Sequence, residues 1–224
     1  EKKPKPQVWL LASAGGEAVQ LTRAPEGVSS YRWSPDAKAI YYVAREPLAR
    51  PIAALREEQQ KRRDDAYVVD EEKFRREIWR IAVEEGRAER LFAGDPGVDD
   101  FEPSPDGKWI IYRTNYTGEP DHTSRFDLWL IELATRSARQ LTRRPGQERS
   151  PVWSPDSTRV AFLAPRVPEI TYAQEEVFVV PISSAGEPPE PQRLTKDFSG
   201  NIEQLRWQAS GDAIYFAAEV RTGN

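Results

Sequence analysis

A repeat constrains the fold of this chain more than any other feature. Four segments place an anchor residue before a turn and an apolar strand after it: Trp33-Ser34-Pro35-Asp36-Ala37, Pro103-Ser104-Pro105-Asp106-Gly107, Trp153-Ser154-Pro155-Asp156-Ser157 and Trp207-Gln208-Ala209-Ser210-Gly211. A second element recurs in step: Gln7-Val8-Trp9-Leu10-Leu11, Glu77-Ile78-Trp79-Arg80-Ile81, Asp127-Leu128-Trp129-Leu130-Ile131 and Glu176-Val177-Phe178-Val179-Val180. A third follows it: Val19-Gln20-Leu21-Thr22, Glu89-Arg90-Leu91-Phe92, Arg139-Gln140-Leu141-Thr142 and Gln192-Arg193-Leu194-Thr195. Three elements in constant order over four copies mark an iterated module.

The chemistry of one module is a meander of short strands. Ser-Pro-Asp-Gly suits a type I turn, with Pro setting φ at the second position and Gly favoured at the fourth, where Ala37 and Ser157 are expected to be tolerated. β-Branched and aromatic residues flank it, so the turn joins two strands of a hairpin. The Trp-centred element supplies a third strand and the Gln-Leu-Thr element a fourth. Such strands are too short to hide both faces alone, so each module must lie against the next. The expected fold is all-β: a β-propeller, partial or a small ring, with three full four-stranded blades and two half blades. The half blades fall at 7–22 and 202–218, and the full blades at 28–92, 99–142 and 149–195. Either the halves pair and close a small ring, or they are open edges able to pair with another chain. The Trp residues at the anchors and on the third strands are expected to fill the gaps between blades. Pro103 should loosen the packing of its blade.

The first interval between anchors is the longest, and its surplus is a charged insertion at 46–76, within which 52–63 has helical character. It is either a solvated loop or an arm that touches a partner. With 32 basic and 36 acidic residues there is no electrostatic footprint for nucleic acid or an anionic membrane. No apolar run approaches the roughly 20 residues of a membrane span. The chain has no Cys and a single His, His122, so thiolate metal sites are excluded, and neither a metal nor another cofactor is expected. It also has no Met, even at position 1, which points to a fragment or a processed chain.

Trp-Ser-Pro-Asp followed by Asp127-Leu128-Trp129 and Arg139-Gln140-Leu141-Thr142 resembles the Pro-Asp propeller repeats of the prolyl oligopeptidase clan of serine peptidases and of the translocation protein TolB. Asp70-Glu71-Glu72-Lys73 with Arg76-Glu77-Ile78-Trp79 is similar to the acylaminoacyl-peptidase and dipeptidyl-peptidase branch. That resemblance implies a non-catalytic propeller that gates peptide access to an α/β-hydrolase domain of the same protein. The TolB-like alternative is a stand-alone module for protein–protein interaction. The chain contains no Gly-x-Ser-x-Gly nucleophile elbow, so no catalytic residue is assigned. In dipeptidyl peptidases a Glu pair holds the substrate's N-terminus. The resemblance makes Glu71 and Glu72 the candidates here, ahead of Glu57-Glu58, Glu84-Glu85 and Glu175-Glu176. The expected partners are therefore the hydrolase domain, peptide substrates and, through the open edges, a second copy of the chain. The compartment is left open.

Overall fold

The computed structural model describes residues 4–45, 58, 61–62, 76–94, 97–117, 122, 125–168, 170, 173–183 and 187–220. Of the expected insertion, only Glu58, Lys61, Arg62 and Arg76 are among them; the first three are helical, and Arg62 donates to Glu58 one turn earlier.

The strands form five antiparallel sheets. β1 (Trp9–Leu10) and β2 (Val19–Gln20) make a two-stranded sheet. The first complete blade is β3 (Val28–Trp33), β4 (Ala39–Arg45), β5 (Arg76–Ala82) and β6 (Ala88–Phe92), in that spatial order. The middle blade is β7 (Asp100–Pro103), β8 (Trp109–Asn115), β9 (Phe126–Glu132) and β10 (Ala138–Gln140). The third is β11 (Arg149–Trp153), β12 (Arg159–Pro165), β13 (Glu175–Pro181) and β14 (Gln192–Arg193). A second two-stranded sheet holds β15 (Asn201–Trp207) and β16 (Ile214–Glu219). The all-β architecture with three full blades and two halves is borne out. The halves remain separate sheets and do not close a ring on each other.

Four apolar clusters sit between consecutive sheets. One joins Val8 and Leu21 to Ile40, Tyr42 and Ile81. The next joins Tyr41, Val43 and Ile78 to Phe101, Ile110 and Ile131. The third sets Ile111, Leu128 and Leu130 against Val160, Phe162 and Phe178, and the last sets Leu163, Val177 and Val179 against Ile202 and Leu205. Alternate residues of β4 enter different clusters, so Ala39–Ala44 are all buried and the strand loses the polar alternation of a half-exposed sheet. Each blade therefore hides its faces only against its neighbours.

The turns are more specific than their backbone class. Ser34 Oγ donates to Asp36 Oδ1 at 2.6 Å and accepts from Ala39 N at 2.9 Å, while Asp36 Oδ1 accepts from Lys38 N at 3.1 Å. Ser104 with Asp106 and Ser154 with Asp156 repeat the pattern. Asp156 is held at about 2 by the Ser154 hydroxyl and the Thr158 amide. The fourth turn position differs from expectation: Ala37 (φ 56°) and Ser157 (φ 60°) occupy the same left-handed region as Gly107 (φ 70°) and Gly211 (φ 79°), so they carry strain there.

The Thr that ends the third element closes the blade. Thr22, Thr142 and Thr195 accept from the backbone N–H groups of Val8, Leu128 and Val177 at 2.9, 3.0 and 2.9 Å. Phe92 stands in this place in the first blade, where Ile78 lies directly opposite it in the ladder.

Candidate functional site

Each module contributes its first strand to one wall, because β3, β7, β11 and β15 are neighbours in space. The indoles stitch this wall together. Trp153 Nε1 donates to the Glu102 carbonyl at 3.0 Å, and Trp207 Nε1 to the Val152 carbonyl at 3.1 Å. Each anchor thus bonds to the residue preceding the anchor of the blade before. Two expectations for the Trp residues fail. Trp33 is 45% exposed and Trp9 is 57% exposed. The sheet before Trp33 supplies only outer strands, so neither residue has a full neighbour to fill against. Trp79 and Trp129 are partly buried and lie against Tyr42 and Tyr112 of their own blades.

Charged groups line the same wall. Arg32 Nε donates to Glu102 Oε2 at 2.6 Å, Arg32 Nη2 lies 3.5 Å from Asp100 Oδ1, and the guanidinium stands over Phe101. A cavity of about 360 Å³ opens between Glu102, Pro103, Trp153, Leu205, Arg206 and Trp207. Pro103 lines it where the other repeats carry Trp, in keeping with looser packing there. At the other end of these strands Arg113 donates to Asp99 Oδ2 at 2.5 Å and to the Glu148 carbonyl at 2.8 Å, and Arg76 donates to Asp99 Oδ1 at 2.9 Å. Burial lowers the Arg113 pKa and Asp99 opposes the shift. Arg149 forks onto Glu175 and reaches the Ile202 carbonyl at 3.3 Å, tying the last half blade to the third. The wall is thus a rigid, mixed-charge surface suited to binding.

A second set of carboxylates lies between the third and fourth strands. Glu77 meets Arg90 at 3.3 Å, and Glu176 is met by Arg193, with Arg166 at 3.8 Å. In the middle blade, Asp127 has Gln140 at 2.6 Å instead of an arginine, and its Oδ1 has no hydrogen-bond partner among the described residues. Fully buried Glu148 accepts from Thr142 Oγ1 and, at 3.3 Å, from Leu128 N. Burial pushes Asp127 up to about 6 and Glu148 up to about 8, and the Asp127 charge adds to the rise at Glu148. Neither group was singled out as such from the sequence. The signal was available in the fourth-strand residue, which is Arg in two blades and Gln in the third.

Glu71 and Glu72 lie outside the described residues, as does Glu57. Glu84-Glu85 sit in a turn closed by Gly86 N donating to the Ala82 carbonyl at 2.9 Å. Glu175 and Glu176 are both buried and are engaged by different arginines, Arg149 and Arg193. The His122 ring meets Thr117 Oγ1 at 3.0 Å and its carbonyl accepts from Asn115 Nδ2 at 3.2 Å, contacts that brace a loop. Among the described residues no group of three or more His, Asp or Glu side chains is placed to hold a metal ion.

No family model matches the chain. It is similar to the uncharacterized peptidase YuxL of Bacillus subtilis, at 27% identity over 139 residues, which cover 56% of this chain and 20% of that protein. It is also similar to dipeptidyl-peptidase 5 of Arthroderma otae, at 25% identity over 134 residues, covering 55% of this chain and 18% of that protein. The chain is a β-propeller domain related to peptidases. This peptidase-related propeller spans about a fifth of the length of the curated relatives it matches. In fold it superimposes on TolB from Acinetobacter baumannii with a TM-score of 0.62 at 18% identity, over 97% of this chain and 44% of that one. TolB-like propellers thus share its architecture.

Proposed function

We propose that this propeller gates substrate access to an α/β-hydrolase domain of a serine peptidase that acts on peptides. The supporting observation is the sequence relationship to two proteins named as peptidases, in a chain that has no nucleophile elbow of its own. The stitched wall of first strands fits the role, since indole and guanidinium bonds between blades give a rigid frame whose opening admits an extended chain more readily than a folded one. The hydrolase domain supplies the nucleophile, and the propeller supplies size selection and contacts to the peptide.

The test compares the chain alone with the intact polypeptide that carries it, using a short chromogenic peptide and a folded protein as substrates. The chain alone is expected to cleave neither. The intact protein is expected to cleave the peptide and spare the folded substrate, and a Trp153→Ala, Trp207→Ala variant, which loosens the wall, is expected to relax that size limit. Activity of the isolated chain, or a size limit untouched by loosening the wall, overturns the reading. An intact protein with no peptidase activity that instead captures a protein partner favours the TolB-like interaction module.

A further inference from the structure

Every complete blade carries a facing aromatic pair on its second and third strands. The pairs are Tyr42 with Trp79, Tyr112 with Trp129 and Phe162 with Phe178, at ring separations of 6.4, 6.3 and 5.8 Å, and each is directly opposed in the ladder. The repeat assigns a fourth pair. Phe216 stands at the second-strand position, seven residues after its anchor as Tyr42, Tyr112 and Phe162 stand nine after theirs when counted to the same ring, and Trp9 stands at the third-strand position. These two residues belong to different sheets and never meet within one copy. Trp9, 57% exposed, and Leu11, 60% exposed, lie on the third-strand side, and Tyr215, 63% exposed, and Phe216, 37% exposed, on the second-strand side. Their counterparts Ile81, Ile131, Tyr112 and Phe162 are buried. The large apolar side chains exposed at the two ends are therefore those whose repeat partners lie at the other end.

The indole stitch leaves the same gap. Trp153 and Trp207 each donate to the residue before the preceding anchor. Applied to Trp33, the half-exposed anchor of the first blade, the rule calls for a first strand that this copy does not place beside it. The first strand of the incomplete blade at the other end is β15, and the residue before its anchor is Arg206.

We propose that β16 accepts β1 of a second copy of this chain, so that β15–β16 of one copy and β1–β2 of the other complete one four-stranded blade. The register is Phe216 opposite Trp9, Tyr215 opposite Leu10 and Ile214 opposite Leu11, and Trp33 of the incoming copy donates to the Arg206 carbonyl. The interface is continuous with the one already repeated between blades of a single copy, which identifies its occupant as another such module. Reciprocal exchange gives a closed pair with three complete blades from each copy and two composite ones. It removes both open edges, the feature that otherwise invites uncontrolled strand pairing. The proposal rests on the repeat and does not depend on the gating function.

The chain has no cysteine, so a Leu10→Cys, Tyr215→Cys variant reports the register directly. Mild oxidation is expected to give a covalent dimer, whereas Leu10→Cys with Ala217→Cys, out of register, cross-links far less. Sedimentation velocity is expected to show a dimer of the unmodified chain and a monomer of Trp9→Glu. Because Trp9 is exposed within one copy, that variant keeps its circular dichroism and its fold. Trp33→Phe, which loses one hydrogen bond, is expected to weaken the dimer roughly five-fold. A monomeric parent chain at high concentration, a disulfide formed within a single copy, equal cross-linking in both registers, or a ladder of larger multimers each overturns the proposal.

Discussion

Gln140 donates its side-chain amide to the buried Asp127 carboxylate at 2.6 Å, at the place where Arg90 meets Glu77 and Arg193 meets Glu176 in the flanking blades. The middle blade alone of the three complete blades thus holds its third-strand carboxylate without an arginine in that register. Glu148, also buried, lies near enough for the two charges to oppose each other.

This arrangement sets an unusual pH dependence. Glu148 titrates at about 8 in the fold against 4.5 ordinarily, and Asp127 at about 6 against 3.8. Groups whose folded pKa is raised stabilise the fold fully below their ordinary pKa, and that contribution is lost as pH rises through the folded value. Arg144 and Arg143 offset the two charges only partly. Urea denaturation is expected to show stability falling between pH 5 and pH 8.5, by about 3 kcal/mol for two coupled groups. Glu148→Gln, which keeps an acceptor for Thr142 and Leu128, should flatten the profile. A stability that rises over this range contradicts the assignment.

Supplying the missing guanidinium makes the complementary experiment. Gln140→Arg gives the middle blade the pairing of its neighbours and should raise stability at pH 8 by about 1–2 kcal/mol, with a smaller gain at pH 5 where Asp127 is protonated. Arg193→Gln should do the reverse to Glu176, costing about 3 kcal/mol because it strands a buried charge. Equal effects at both pH values would show that packing, not charge, governs the site.

The Thr locks differ in what depends on them. Thr195 accepts one backbone amide, from Val177. Thr142 accepts from Leu128 and also donates to Glu148. Thr195→Val should cost about 1 kcal/mol and Thr142→Val about 2–3 kcal/mol, since the latter leaves a buried carboxylate short of a donor. Chemical denaturation of the two variants side by side checks the order.

Much of the fold was legible because the chain prints its own alignment. The Ser-Pro-Asp turns, the three strand elements and the need for stacking follow from patterns that four copies repeat. What escaped were directions and partners. Trp153 is recognisable as a packing residue, but nothing local says that its indole points at the Glu102 carbonyl in another blade. Thr142 looks like an ordinary strand residue until its hydroxyl is seen capping Leu128. Trp9 and Trp33 carry the same motif as their buried counterparts, and their exposure depends on which neighbours the chain supplies. The exchange of Arg for Gln at position 140 was visible in the sequence, but its meaning needed the register that sets it opposite Asp127.

The strained turn position offers a stabilising substitution. Ala37 holds φ 56°, where a side chain costs about 1–2 kcal/mol. Gly107 meets the same requirement in the middle blade with no such cost. Ala37→Gly should raise stability by about 0.5–1 kcal/mol, net of the entropy a glycine adds to the unfolded chain. Ser157→Gly should gain less or nothing, because the Ser157 hydroxyl accepts from Asp106 N at 3.0 Å across the blade boundary. Thermal denaturation of the two variants separates backbone strain from the inter-blade bond.

The indole stitch predicts that chemically identical changes at three anchors have unequal effects. Trp153→Phe and Trp207→Phe each remove a donor bonded to a carbonyl of the preceding blade and shrink a packed side chain, so each should cost about 1–3 kcal/mol. Trp207 also carries the Arg159 guanidinium over its ring at 4.7 Å, and Arg159 donates to the Gly211 carbonyl at 2.8 Å, so its loss loosens the turn of the last half blade as well. Trp33→Phe, at an anchor whose preceding first strand is absent, should leave the stability of a dilute single copy within about 0.5 kcal/mol of the parent. Denaturation at low protein concentration isolates that comparison from association between copies. A Trp33 variant as damaging as the Trp153 variant would show that these residues act within their own blades, and the bond between blades would lose its place as the element that orders the wall.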